Sequence, residues 1–79
     1  MITANDALAL LQQIGHADID IDNQALMSDG ILSSIDIMLL IGAIEEQYNC
    51  HIDEDMLDMD CFESCQAIAD LVNKATALA

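Results

Sequence analysis

The decapeptide DGILSSIDIM, Asp29 to Met38, decides how this chain folds. A turn-forming Asp-Gly pair leads into two serines, and the most apolar run of the chain follows at once. Serine with an acid three residues on is the signature of a capped helix start. Ser33 is placed to accept a hydrogen bond from the backbone N–H of Asp36 while Asp36 reaches back. A helix is therefore expected to begin at Ser34. It runs to about Tyr48, because Ile37, Leu40, Ile41, Ile44 and Tyr48 share one face at 100° per residue. Ile35, Met38, Leu39 and Gly42 fall roughly opposite. A helix apolar on two sides is either central or offers one side to a partner. In 79 residues full enclosure is difficult, because a chain this short buries only about 60–65% of its unfolded surface. An exposed second stripe is the expectation.

Working outward, three more helical segments are expected. Towards the N-terminus, Ala7, Leu10, Leu11 and Ile14 make one apolar stripe over about Ala4 to Ile14. Thr3 suits the N-cap and Gly15 the stop. Between this helix and the central one lies a long loop, His16 to Leu32. Asp18 to Asp22 alternates like a strand but has nothing to pair with, so its isoleucines and Leu26 are expected to tuck onto the core. After the central helix, Ile52 and Leu57 stand where a hydrophobic staple would flank an Asp53 N-cap, which predicts a short third helix. A fourth is expected from about Cys65 to Ala75. Its N-cap is Ser64, its stripe is Cys65, Ile68, Ala69 and Val72, and Phe62 is a natural anchor before it. The fold class is all-α, a single-domain four-helix bundle over residues 1–79 with a long first loop and a short third helix.

Composition agrees with that class and narrows the function. The apolar fraction is 54%, the chain has no Pro and no Trp, and one Phe and one Tyr are its only aromatics. Ile, Leu, Met and Ala supply the rest, a mixture that favours helix and enough apolar surface to fold. Fifteen acids face one base, Lys74, for a net charge of −14. Nucleic acid and anionic membranes select for Lys and Arg, so neither is expected as a partner. Basic protein surfaces are the natural partners of such a field. No basic-then-apolar leader opens the sequence, and the apolar run Ile37–Ile44 is too short to cross a bilayer. A reducing cytoplasm is the expected setting for the cysteines, Cys50, Cys61 and Cys65.

Ser33 explains one of the two serines. Ser34 would sit at the first helical position with its hydroxyl free. There a phosphate would meet unpaired N–H groups and the positive end of the helix dipole. The stretch DGILSSIDIMLLIGAIEEQYNCHID resembles the acyl and peptidyl carrier protein family. That family's motif is Asp-Ser-Leu and an acid, then an apolar helix closing on Glu-Glu and an aromatic. Ser34, Ile35 and Asp36 match the serine, the apolar residue and the acid, and Glu45, Glu46 and Tyr48 match the helix end. The likeness continues through HIDEDML and CFESCQAIADLV and spans about Asp29 to Val72 without a gap.

The resemblance implies that Ser34 is esterified with 4′-phosphopantetheine by a phosphopantetheinyl transferase. The arm's thiol would then hold an acyl or aminoacyl thioester for biosynthetic enzymes, and the chain itself would be no enzyme. It also implies that Ile35, Met38, Leu39 and Gly42 form the partner-recognition face, with Asp36, Glu45 and Glu46 steering basic patches towards it. Two departures stand out. Ser33 occupies the place of the usual Asp, which removes a charge beside the attachment site. Leu39 stands where fatty-acid carriers usually have an acid, which points to a specialised pathway such as nonribosomal peptide, polyketide or D-alanyl transfer. The expected carrier is a discrete monomer.

Rival readings are weaker. Asp18, Asp20 and Asp22, with Asp29 at the twelfth position, resemble the start of an EF-hand calcium loop. Asn23, however, stands where that loop needs Gly, and Asp29 where it needs a bidentate Glu. Cys50 and His51 are sequence neighbours whose side chains diverge, a poor nucleophile–base pair, and no CxxC spacing marks a metal site. A helical adaptor that binds a partner through the second stripe, without a prosthetic group, shares every feature of the carrier except a modified Ser34.

Overall fold

The computed structural model describes residues 2–52 and 59–77. Helix α1 spans Ala4–Gln13, α2 spans Ser34–Tyr48 and α3 spans Cys65–Ala77, with a 3-10 turn at Met59–Phe62 before α3. No strand occurs among the described residues. The expected short third helix, with its Asp53 N-cap and Leu57 staple, lies outside them. Within them the architecture is all-helical, with three α-helices.

The described helix starts, and the ends of α1 and α2, have local causes. Asp6 accepts the backbone N–H of Thr3 at 2.9 Å, reaching back from the third helical position to the cap residue. α1 ends one residue before the expected Ile14. Gly15 takes φ +105°, its N–H donates to the Gln12 carbonyl and the His16 N–H donates to the Leu11 carbonyl. This pair of bonds is the Schellman closure, which needs a residue at positive φ. Asn49 ends α2 in the left-handed region at φ 50°. Ser64 Oγ accepts the Ala67 N–H at 3.0 Å and so caps α3, as its sequence implied.

The core is one cluster. Ala7, Leu10 and Leu11 of α1 meet Leu40 and Ile44 of α2 and Cys65, Ile68, Ala69, Leu71, Val72 and Ala75 of α3. α1 packs on both other helices, and the 3-10 turn packs on α3 and sets Phe62 into the core. No polar or charged residue among those described is buried.

The long loop is built into this core. Leu26 is fully buried, Leu32 nearly so, and Ile19, Ile21, Met27 and Ile31 pack on the cluster partly covered. Residues 25–31 close a tight turn: Ile31 and Leu32 both donate to the Leu26 carbonyl, and Gly30 at φ +73° donates to Met27. The far end of the chain holds this turn. The Leu26 N–H donates to the Glu63 carbonyl at 2.9 Å. The Glu63 carboxylate accepts the backbone N–H of Met27 and of Ser28, at 2.6 and 2.8 Å, and the Ser28 hydroxyl as well. A second tie joins the two ends of the described chain. The Asn73 side-chain amide exchanges hydrogen bonds with the backbone of Ile2, at 2.7 and 3.0 Å.

Candidate functional site

Ser33 and Ser34 divide their work at the mouth of α2. Ser33 has extended backbone, and its Oγ accepts the Asp36 N–H at 3.3 Å. Asp36 Oδ2 accepts the Ser33 N–H at 2.9 Å and the Ser33 hydroxyl at 3.0 Å. The capping box is closed in both directions, and the Ile37 N–H makes the first backbone bond of the helix, to the Ser33 carbonyl. Ser34, the first helical residue, is exposed. Its own N–H and that of Ile35 belong to the first turn, whose amides have no acceptor within the helix. A phosphoester on Ser34 Oγ would find those amides and the dipole's positive end beside it, so the residues present fit such a group.

Asp36 carries a further contact that no local pattern announced. Its other oxygen, Oδ1, pairs with His16 Nε2 at 3.0 Å. The bond from the Ser33 backbone, and after it the bond to His16, hold the Asp36 carboxyl below its ordinary pKa. His16 belongs to the turn that closes α1, so the start of α2 is tied to the end of α1.

The second stripe of α2 is open to solvent. Ile35 is 69% exposed, Met38 72% and Leu39 51%, and Gly42 beside them is exposed too. The opposite face carries Leu40 and Ile44, both fully buried, with Ile37, Ile41 and Tyr48 partly covered against the core. The structure therefore brings Ser34, Ile35, Met38, Leu39 and Gly42 onto one accessible side of one helix.

The acids of the expected recognition face do not all stand free. Glu45 Oε2 accepts the Ile52 N–H at 3.0 Å and meets His51 Nδ1 at 3.1 Å, so this carboxylate organises the chain leaving α2. Asp36 is held by Ser33 and His16. Glu46 is exposed. Both histidines thus meet acids at the two ends of α2. The His16 pair is the more sheltered, its side chains being 23% and 21% exposed, against 79% for His51. A contact in open water is worth little, so the exposed His51 contact contributes little to stability.

The acidic loop gives no sign of a calcium cage. Asp20 Oδ1 accepts the Asp22 N–H at 2.9 Å, an Asx turn within the loop, and Asn23 Oδ1 accepts the Ala25 N–H in the same way. Among the described residues, no three His, Cys, Asp or Glu side chains converge on a metal position. Cys50 and Cys65 are free thiols. Burial, and then the Glu45 charge, push the Cys50 thiol up; burial, and then Asp20, do the same for Cys65. Both shifts disfavour the reactive thiolate.

Sequence reading missed Glu63 and His16. Glu63 was invisible because its partners lie 35 and 36 residues away. His16 had one available signal: a histidine directly after a helix-stopping glycine sits at a fixed place in a Schellman turn. No helix among the described residues is long and apolar enough to cross a membrane. Comparison with protein-family models, with curated proteins and with solved structures finds no match for this chain.

Proposed function

We propose that this chain is a discrete acyl or aminoacyl carrier protein, bearing 4′-phosphopantetheine on Ser34. The observation that carries the reading is the pairing of an exposed serine at the first position of α2 with an exposed apolar stripe on the same helix. A helix-capping role needs only Ser33, and core packing needs only the opposite face. The carrier reading gives a use to what remains. Its four-helix form requires a short helix between α2 and α3, where the described residues have a gap.

When attached, the arm supplies a terminal thiol that holds cargo as a thioester. The chain's own work is to present and to dock. The first-turn amides and the dipole favour the phosphoester's charge at Ser34. Ile35, Met38, Leu39 and Gly42 offer partner enzymes an apolar contact. The net charge of −14, with Glu46 beside the stripe, steers basic patches of the transferase and of loading and downstream enzymes towards it. Ser33 in place of Asp and Leu39 in place of an acid favour a specialised polyketide, nonribosomal peptide or related pathway. In this reading the protein is a cytoplasmic monomer and is not itself an enzyme.

The test is intact mass after co-expression with a broad-specificity phosphopantetheinyl transferase. Wild type should gain one phosphopantetheine and Ser34→Ala none. Gain in Ser34→Ala would move the site to Ser33. No gain in wild type, persisting in Ser33→Asp, would leave the stripe as the face of a helical adaptor without a prosthetic group.

A further inference from the structure

We infer that His16 is a positioning residue for the loading of Ser34, acting through Asp36; the inference rests on the carrier reading. Ser34 lies between Ser33 and Asp36, the two members of the capping box. That box is exposed to water, where a single carboxylate contact is easily exchanged. Asp36 uses Oδ2 for the Ser33 N–H and hydroxyl, and Oδ1 for His16 Nε2 at 3.0 Å. With both oxygens held, the carboxylate cannot swing away without breaking contacts on two sides.

His16 is itself fixed. Its N–H bonds to the Leu11 carbonyl at 3.0 Å in the closure of α1, and Leu11 is fully buried. The imidazole is therefore a strut from a helix locked in the core to the one turn that carries the acceptor serine. Helix ends fray, and a frayed first turn presents Ser34 in many geometries. The transferase uses the helical one, so its apparent affinity scales with the fraction of chains that have the turn formed.

Three variants and two readouts test this. His16→Ala removes the strut. His16→Gln keeps a side-chain N–H near the place of Nε2 without a positive charge. Ser64→Ala removes the cap of α3, and so lowers stability without touching α2. With the carrier as varied substrate of the transferase, His16→Ala should raise KM by roughly 3–10-fold at unchanged kcat. His16→Gln and Ser64→Ala should stay within about twofold of wild type. Amide hydrogen exchange is the second readout and needs no transferase. Exchange at Ile37 should accelerate in His16→Ala, with Ile68 in α3 unchanged.

An unchanged KM or an unchanged Ile37 exchange rate in His16→Ala overturns the inference. So does a KM rise of equal size in Ser64→Ala, which would mean general destabilisation. If His16→Gln behaves like His16→Ala, charge and not bracing is the cause, and the inference again falls. Wild type that is never loaded, while Ile37 exchange responds as stated, would refute the carrier reading and leave the strut as a purely structural contact.

Discussion

Leu39 and Leu40 are neighbours on α2 with opposite surroundings, and substituting each in turn tests the placement of the whole helix. Leu40 is fully buried in the core cluster, whereas Leu39 is 51% exposed. Leu40→Ala removes buried methyl groups and leaves a cavity, a change that costs about 2–5 kcal/mol. For a chain of 79 residues, each kcal/mol moves the melting temperature by about 4–8 °C. Leu40→Ala should therefore melt at least about 8 °C lower. At the upper end of that cost it approaches the whole stability of a domain this size, roughly 4–12 kcal/mol, and the variant would be partly unfolded at 25 °C. Leu39→Glu gives up little burial, and Glu is nearly as good a helix former as Leu. Its one new conflict is with Asp36, three residues back, worth a few tenths of a kcal/mol. Its melting temperature should stay within about 4 °C of wild type. Far-UV circular dichroism against temperature, for the three proteins at equal concentration, reads both. A Leu39→Glu loss as large as that of Leu40→Ala would show that the exposed stripe is core and refute the docking face.

Other consequences follow from single contacts. At Gly15, a methyl group would meet nothing within 4 Å, so Gly15→Ala should cost only the conformational penalty of φ +105°. That penalty is about 1–2 kcal/mol in urea unfolding, and a neutral result would mean the α1 closure differs from that described. Bonds from the Ser28 side chain and backbone hold the Glu63 carboxyl below its ordinary pKa, so the clamp on the loop favours the charged form. Its contribution is complete above the usual carboxylate value and is lost as pH falls through the lowered one. Glu63→Gln should therefore be less stable than wild type at pH 7, with the gap closing as pH falls below the usual carboxylate range; a gap independent of pH would refute the carboxylate's role. Fourteen excess negative charges repel one another, so the melting temperature should rise between 20 mM and 500 mM salt as they are screened. A flat response would mean the repulsion is already relieved within the fold.

Much of the fold was legible because its causes are local. The caps at Thr3, Ser33 and Ser64 depend on residues three positions away, and the Gly15 stop on bonds inside one turn. The two-faced α2 was readable from periodicity, and the size of the chain correctly decided that its second face stays open. The candidate site was legible to the same depth: Ser33 caps, Ser34 is exposed, and Ile35, Met38, Leu39 and Gly42 share its side. The roles of the acids were legible only in part. Asp36 was expected to close the capping box and, with Glu45, to steer partners, yet each is also drawn into a contact with a histidine.

The sequence by itself determined, to within two residues, where the three described helices start and stop, and which face of each turns inward. These follow from backbone hydrogen bonding and 3.6-residue periodicity, both short-range. Only the tertiary structure decided how the long loop is held. The Glu63 clamp on Met27 and Ser28, the Asn73 tie to Ile2 and the His16 strut to Asp36 join groups 20 to 71 residues apart in sequence. Pairing at such separations depends on where the packed helices carry each segment, and no local pattern encodes it.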